Sequence, residues 1–178
     1  MPVMWALSLS GAIKADMPRV FVGIGSNIKR EASVRAGVAD LRAHYGAVQL
    51  STVYESEAVG FDGEPFYNLV AAFDSDESVE QVLVTLGKIE HRQGRERNGQ
   101  GVSSRTLDMD LLLYDDLVMS GTGYHVPRDE ISRYAFVLCP LAEMVPDMAH
   151  PETGETFASM WAHFNDNNQI LRSVHFAW

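Results

Sequence analysis

Hydrophobic and polar positions alternate most clearly over residues 105–114, where Leu107, Met109, Leu111 and Leu113 take turns with Thr106, Asp108, Asp110 and Leu112. A period of two is that of a half-buried β-strand. It predicts four apolar side chains on one face and both aspartates on the other, about 7 Å apart along the strand. Three further strands are predicted from apolar and β-branched runs at residues 19–24, 48–54 and 66–73. Two stretches have helical spacing instead. Val34, Val38, Leu41 and Tyr45 line one face of a helix that Gly46 ends. Val79, Val82, Leu83, Leu86 and Ile89 form the buried stripe of a second, capped by Ser75 or Asp76 and ended by Gly94. Residues 56–65, with Gly60, Asp62-Gly63 and Pro65, read as a loop. The order is β-α-β-β-α-β, the ferredoxin-like pattern of an α+β fold. Beyond Asp115 the chain is expected to add a C-terminal hairpin and short helices around Pro127, Pro140 and Pro146. Phe157, Trp161, Phe164, Ile170 and Leu171 suit a docked helix and tail.

Length changes the picture little: 178 residues suit one domain with a real core, residues 18–178, preceded by an extension of unknown role at 1–17. Met17 is a second candidate start. Charge changes it more. A net charge of -10, from 24 acidic and 14 basic residues, disfavours nucleic acid and anionic membrane surfaces as partners. Against that background residues 88–105 hold five basic residues and two acidic ones, so the expected ligand is a local anion. Cys139 is the only cysteine, which excludes an intramolecular disulfide, and its apolar surroundings predict a buried structural thiol. No apolar run reaches the ~18 residues of a membrane span, and residues 1–16 lack the charged start of a secretory signal, so the expected location is the cytoplasm.

Candidate chemistry centres on Asp108 and Asp110. Two adjacent carboxylates on a strand are either a solvated face or a metal site. Mg²⁺ favours one or two carboxylates plus substrate phosphates, and the arginines Arg95, Arg97 and Arg105 just upstream are permanent, planar phosphate donors. Gly23-x-Gly25-Ser26-Asn27 is either a tight turn after the first strand or a row of backbone N–H groups facing an anion. Phe66, Asn68 and Phe136 are core residues or the walls of a pocket for a flat heterocycle, with the amide matching its polar edge. The six histidines show no ligand spacing, and neither a P-loop nor a protein-kinase signature occurs.

Taken in order, Gly-Ser-Asn after the first strand, Phe-Tyr-Asn-Leu-Val at the third, Arg-Thr-Leu-Asp-Met-Asp after the arginines and Ala-Phe-Val-Leu-x-Pro-Leu-Ala-Glu further on resemble one family. It is the 6-hydroxymethyl-7,8-dihydropterin pyrophosphokinase family, folate-pathway enzymes that move a pyrophosphoryl group from ATP to a pterin alcohol. The resemblance spans residues 20–151. It implies that Asp108 and Asp110 hold two Mg²⁺ ions bridging the ATP phosphates, and that Arg95, Arg97 and Arg105 bind those phosphates. Arg95, Arg105 and Asp110 would be the catalytic residues. Glu90 would lie near the nucleotide, Ser56 and Val59 near the pterin, Asn68 on the pterin edge, and Phe136 stacked on its ring with Phe66 close by. ATP and a small pterin would be the partners of a monomer.

The chain departs from the family at four places. Ser103-Ser104 replace a usual Gly-Pro, Ala58 a proline, Arg128 a histidine, and Tyr134 an arginine, with Arg133 one position earlier. Arg128 or Arg133 is the candidate to supply the charge lost at Tyr134. The departures motivate an alternative reading, a divergent paralogue that binds a pterin or nucleotide without catalysis or acts on a related pterin.

Overall fold

The computed structural model describes residues 17–94 and 106–178. The first strand, β1 (Arg19–Ser26), runs on through the two glycines and leads into α1 (Arg30–Tyr45). Two short strands follow, β2 (Gln49–Leu50) and β3 (Val53–Ser56), then the longest, β4 (Phe66–Asp74). Helix α2 (Val79–Arg92) precedes β5 (Asp108–Tyr114). A small hairpin, β6 (Met119–Gly121) and β7 (Tyr124–Val126), leads to α3 (Glu130–Arg133) and α4 (Ala135–Met144). Helix α5 (Phe157–His163) and β8 (Leu171–Val174) complete the order.

The main sheet has the order β5-β1-β4-β3-β8, with β2 also on β4 and every pairing antiparallel. This is an α+β architecture whose sheet is covered on both faces. On one side α1 and α2 bury Val34, Val38, Leu41, Val82, Leu86 and Ile89 against Val20, Val22, Leu69, Ala71 and Phe73. On the other, Val137, Leu138 and Leu141 of α4 and Phe157 of α5 pack on Phe21, Val70 and Ala72. A central strand buried twice needs apolar residues at successive positions, which is why β4 reads as a continuous apolar run.

Four expectations are corrected. The alternation of β5 fails at Leu113, because the register against β1 shifts between Phe21 and Val22. The bulge turns Leu113 to the α4 face beside Phe21, away from Leu111. The expected strand at 48–54 is interrupted at Ser51, whose hydroxyl accepts from Val70 N–H at 2.9 Å in place of a ladder carbonyl. Helix α2 is capped by Ser78 and not by Ser75 or Asp76. Ser78 Oγ accepts from Gln81 N–H and Gln81 Oε1 from Ser78 N–H, a reciprocal box that sets the first turn. Cys139 is half-buried, not buried, and its burial still raises the thiol pKa, which keeps it protonated.

The C-terminal tail gives the sheet an extra edge strand, β8, absent from the sequence reading. Among the described residues no helix is long and apolar enough to cross a membrane.

Candidate active site

The site grows from one row across the sheet. Asp108 lies opposite Gly25 of β1, which in turn lies opposite Asn68 of β4; Asp110 lies opposite Gly23. Directly opposed residues of antiparallel strands share a face, so the aspartates and Asn68 flank a floor of two glycines. The Gly-x-Gly motif is therefore strand and not turn. Its use is space: a Cβ on Gly25 would come within 3.2 Å of Asn68 Oδ1. Ser26 donates its hydroxyl to the Thr106 carbonyl, and Asn27 Nδ2 donates to Glu64 O at 3.1 Å, which tie the end of β1 to its neighbours.

Above this floor opens a cleft of about 220 Å³. Ser56, Val59, Phe66, Asn68 and Phe136 line it, as do Asp108, Asp110 and Arg128 at its far end. Eight residues singled out from the sequence thus come together from β3, β4, β5, the loops and α4. Asn68 is 6% exposed, and its Nδ2 donates to Ser56 Oγ at 2.8 Å. Phe136 stacks on Tyr134, ring centres 5.1 Å apart and 11° from parallel. Phe66 meets Phe61 edge-on at 6.2 Å.

Phe61, Tyr134, Glu57 and Glu130 also line the cleft and were missed as site residues. Phe61 carries one available signal, an aromatic between glycines in a polar loop. Tyr134 is visible in the sequence only as a departure. Arg133 points elsewhere, 3.8 Å from Asp129. Arg95, Arg97 and Arg105, together with Ser103 and Ser104, lie outside the described residues.

A second groove, about 570 Å³, lies on the other side of Asp110 and Arg128, which line both. Leu83, Leu86 and Gly87 of α2, Tyr124 of the hairpin, and Glu90 form its walls. Glu90 is only 3% exposed, and its Oε1 accepts from Met109 N–H at 2.8 Å. The carboxylate thereby braces β5 at the residue between the two aspartates. Glu90→Ala should lower stability by about 2 kcal/mol, since it strands a buried donor, while Glu90→Gln recovers most of the loss. Urea unfolding of the two variants measures the difference.

Partial burial, followed by the charge of Asp108, raises the Asp110 carboxyl to about pH 7, and Arg128 opposes them. Arg128 Nη2 is 3.3 Å from Asp110 Oδ1, and its Nε is 3.1 Å from Glu130 Oε2. Those two acids outweigh burial and hold the guanidinium firmly charged. Among the described residues no group of three or more His, Cys, Asp or Glu side chains converges on a metal position.

Fold and site together define an antiparallel α+β protein that joins a carboxylate pair to an aromatic cleft carrying one buried amide. The chain belongs to the 7,8-dihydro-6-hydroxymethylpterin-pyrophosphokinase (HPPK) family, whose model matches residues 21–146. A 2-amino-4-hydroxy-6-hydroxymethyldihydropteridine pyrophosphokinase of Aquifex aeolicus is 31% identical over 137 residues, 76% of this chain and 85% of that protein. The Pseudomonas aeruginosa protein of the same name is 33% identical over 138 residues, 75% of this chain and 85% of its own length. Among solved structures, an HPPK-DHPS in complex with substrates superposes with a TM-score of 0.64 at 13% identity. It shares the fold over 82% of this chain, which spans 43% of that longer one.

Proposed function

We propose that this protein transfers the pyrophosphoryl group of ATP to the hydroxymethyl oxygen of 6-hydroxymethyl-7,8-dihydropterin, releasing AMP, as a step of folate biosynthesis. The observation that carries the reading is the meeting of two grooves at Asp110 and Arg128. One is smaller, aromatic and fitted with a buried amide; the other is larger and walled by α2. A flat heterocycle in the first and a nucleotide in the second would bring a hydroxyl and a phosphate chain together at the shared wall. The names of the relatives support the same assignment.

In this reading Phe136, backed by Tyr134, stacks on the pterin, Asn68 and Ser56 meet its polar edge, and Phe66 and Val59 close the cleft. The pterin oxygen attacks the β-phosphorus, the bond from that phosphorus to the α,β-bridging oxygen breaks, AMP departs with that oxygen, and the hydroxyl proton is lost to solvent. Positioning the two substrates in line is the protein's main contribution. Glu90 holds β5 in place, Arg128 lies at the phosphates, and Arg95, Arg97 and Arg105 are assigned to the phosphate chain.

Asp108 and Asp110 fit a divalent cation. Two carboxylates share a cleft with one arginine between Asp110 and Glu130, and a hard ion takes its remaining ligands from phosphate and water. We assign them two Mg²⁺ ions, which when bound supply charge neutralisation along the triphosphate. The order β5-β1-β4-β3 with helices α1 and α2 on one face supports a ferredoxin-like description of the core. A cytoplasmic monomer with residues 18–178 as one domain completes the reading.

The test is AMP release from ATP, Mg²⁺ and the hydroxymethyl-dihydropterin. Turnover that needs all three supports the proposal, and a folded protein that forms no AMP overturns it. Tyr134, where relatives of the resembling family carry an arginine, favours one rival, a pterin-binding paralogue without transfer. That rival binds the pterin with an affinity indifferent to a non-hydrolysable ATP analogue, which calorimetry reads directly.

A further inference from the structure

Arg128 has a position that the transfer reaction by itself does not explain. Its backbone N–H donates to Leu112 O at 2.9 Å, which fixes the base of the side chain to β5. Its Nη2 lies against Asp110 and its Nε against Glu130, at 3.3 and 3.1 Å. The Nε atom is buried, yet among the described residues no acceptor lies along its N–H direction. The guanidinium is therefore held by charge between two carboxylates, without the bidentate geometry that would lock it on either. One cation of the protein's own thus stands at an oxygen of the acid assigned above to a divalent ion.

We infer that Arg128 is the built-in counter-ion of Asp110, displaced when a divalent cation binds and then paired with the phosphates of the nucleotide. The inference rests on the metal assignment in the proposed function. A guanidinium and a divalent cation within about 5 Å of each other repel, even where solvent reaches a third of each side chain, so the two compete for Asp110. The side chain lines both grooves, with Glu130 as a second anchor, so a swing of its outer nitrogens suffices to change partners. The exchange couples the two ligands. The ion expels Arg128, the phosphates receive it, and each binding step favours the other.

The test titrates the full chain with Mn²⁺ as a probe, followed by electron paramagnetic resonance, without nucleotide and then with a non-hydrolysable ATP analogue. Arg128→Gln should bind the ion alone about tenfold more tightly than the parent, since a repelling charge has gone. The same variant should bind the ion–analogue pair about tenfold more weakly, because a charged hydrogen bond to phosphate is lost. Arg128→Lys, which keeps the charge, should stay near the parent in the first titration. Glu130→Gln leaves Arg128 to Asp110 alone and should weaken the ion several-fold; it carries the test if Arg128→Gln does not fold. An ion affinity of Arg128→Gln equal to or below the parent's overturns the inference, as does the absence of the opposite change with the analogue. No ion bound by any form, even with the analogue, overturns the metal assignment itself.

Discussion

Asp110→Asn is expected to form no measurable AMP, a loss of about 10³-fold or more, in a protein at least as stable as the parent above pH 7. The loss follows from the proposed role, since the amide keeps the shape of the carboxylate and removes the charge that attracts the cation. The stability follows from the sign of the pKa shift. Partial burial and Asp108 raise the Asp110 carboxyl from 3.8 to about 7. The folded state therefore holds this proton more tightly than the unfolded chain does. Its contribution to stability is full below about pH 4 and is lost as the pH rises through 7. Solvent reaches 36% of the side chain, so the penalty at pH 8 is screened to about 1 kcal/mol. Asparagine escapes it, and Arg128 retains Glu130. Urea unfolding at pH 4 and pH 8 should show the variant gaining on the parent only at the higher value. An active Asp110→Asn would remove Asp110 from the mechanism, and a gain at both values would remove the electrostatic account.

Asn68→Ala should weaken pterin binding about 100-fold and leave the affinity for a nucleotide analogue within about twofold. The side chain is buried beside the glycine floor with one N–H committed to Ser56, so the heterocycle would meet an amide already held in orientation. Pre-orientation removes most of the entropic cost of pairing, and two lost hydrogen bonds at about 1.4 kcal/mol each give the factor. Calorimetry with pterin and with analogue separates the cases. Equal loss on both would mean that Asn68 supports the fold of the site and does not read the ring.

The elements were legible where local periodicity decides them. The stripes of α1 and α2, the alternation of β5 up to Leu111 and the double burial of β4 are all written in spacing. The failures share a cause. Ser51 stops a strand because its hydroxyl reaches Val70, nineteen positions away. Leu113 changes face because β1 imposes a bulge. Strand β8 exists because β3 offers it an edge. None of these partners is visible within a window of neighbouring residues.

The site divides in the same way. Its chemistry, a carboxylate pair, an amide and aromatic rings, is stated by residue type and order, and the family resemblance rests on those. Its geometry is not. Gly25 reads as a turn in the chain but lies in the structure between Asp108 and Asn68. Glu90 reads as a group near a ligand; in the fold it lines the second groove, and its carboxylate also braces Met109. Arg128 reads as a substituted position, whereas in the fold it faces Asp110 and Glu130. The sequence alone therefore determined which groups are available and which elements carry them, because periodicity and residue chemistry are local. Only the tertiary structure decided which groups meet, because strand register and helix docking bring together positions far apart in the chain.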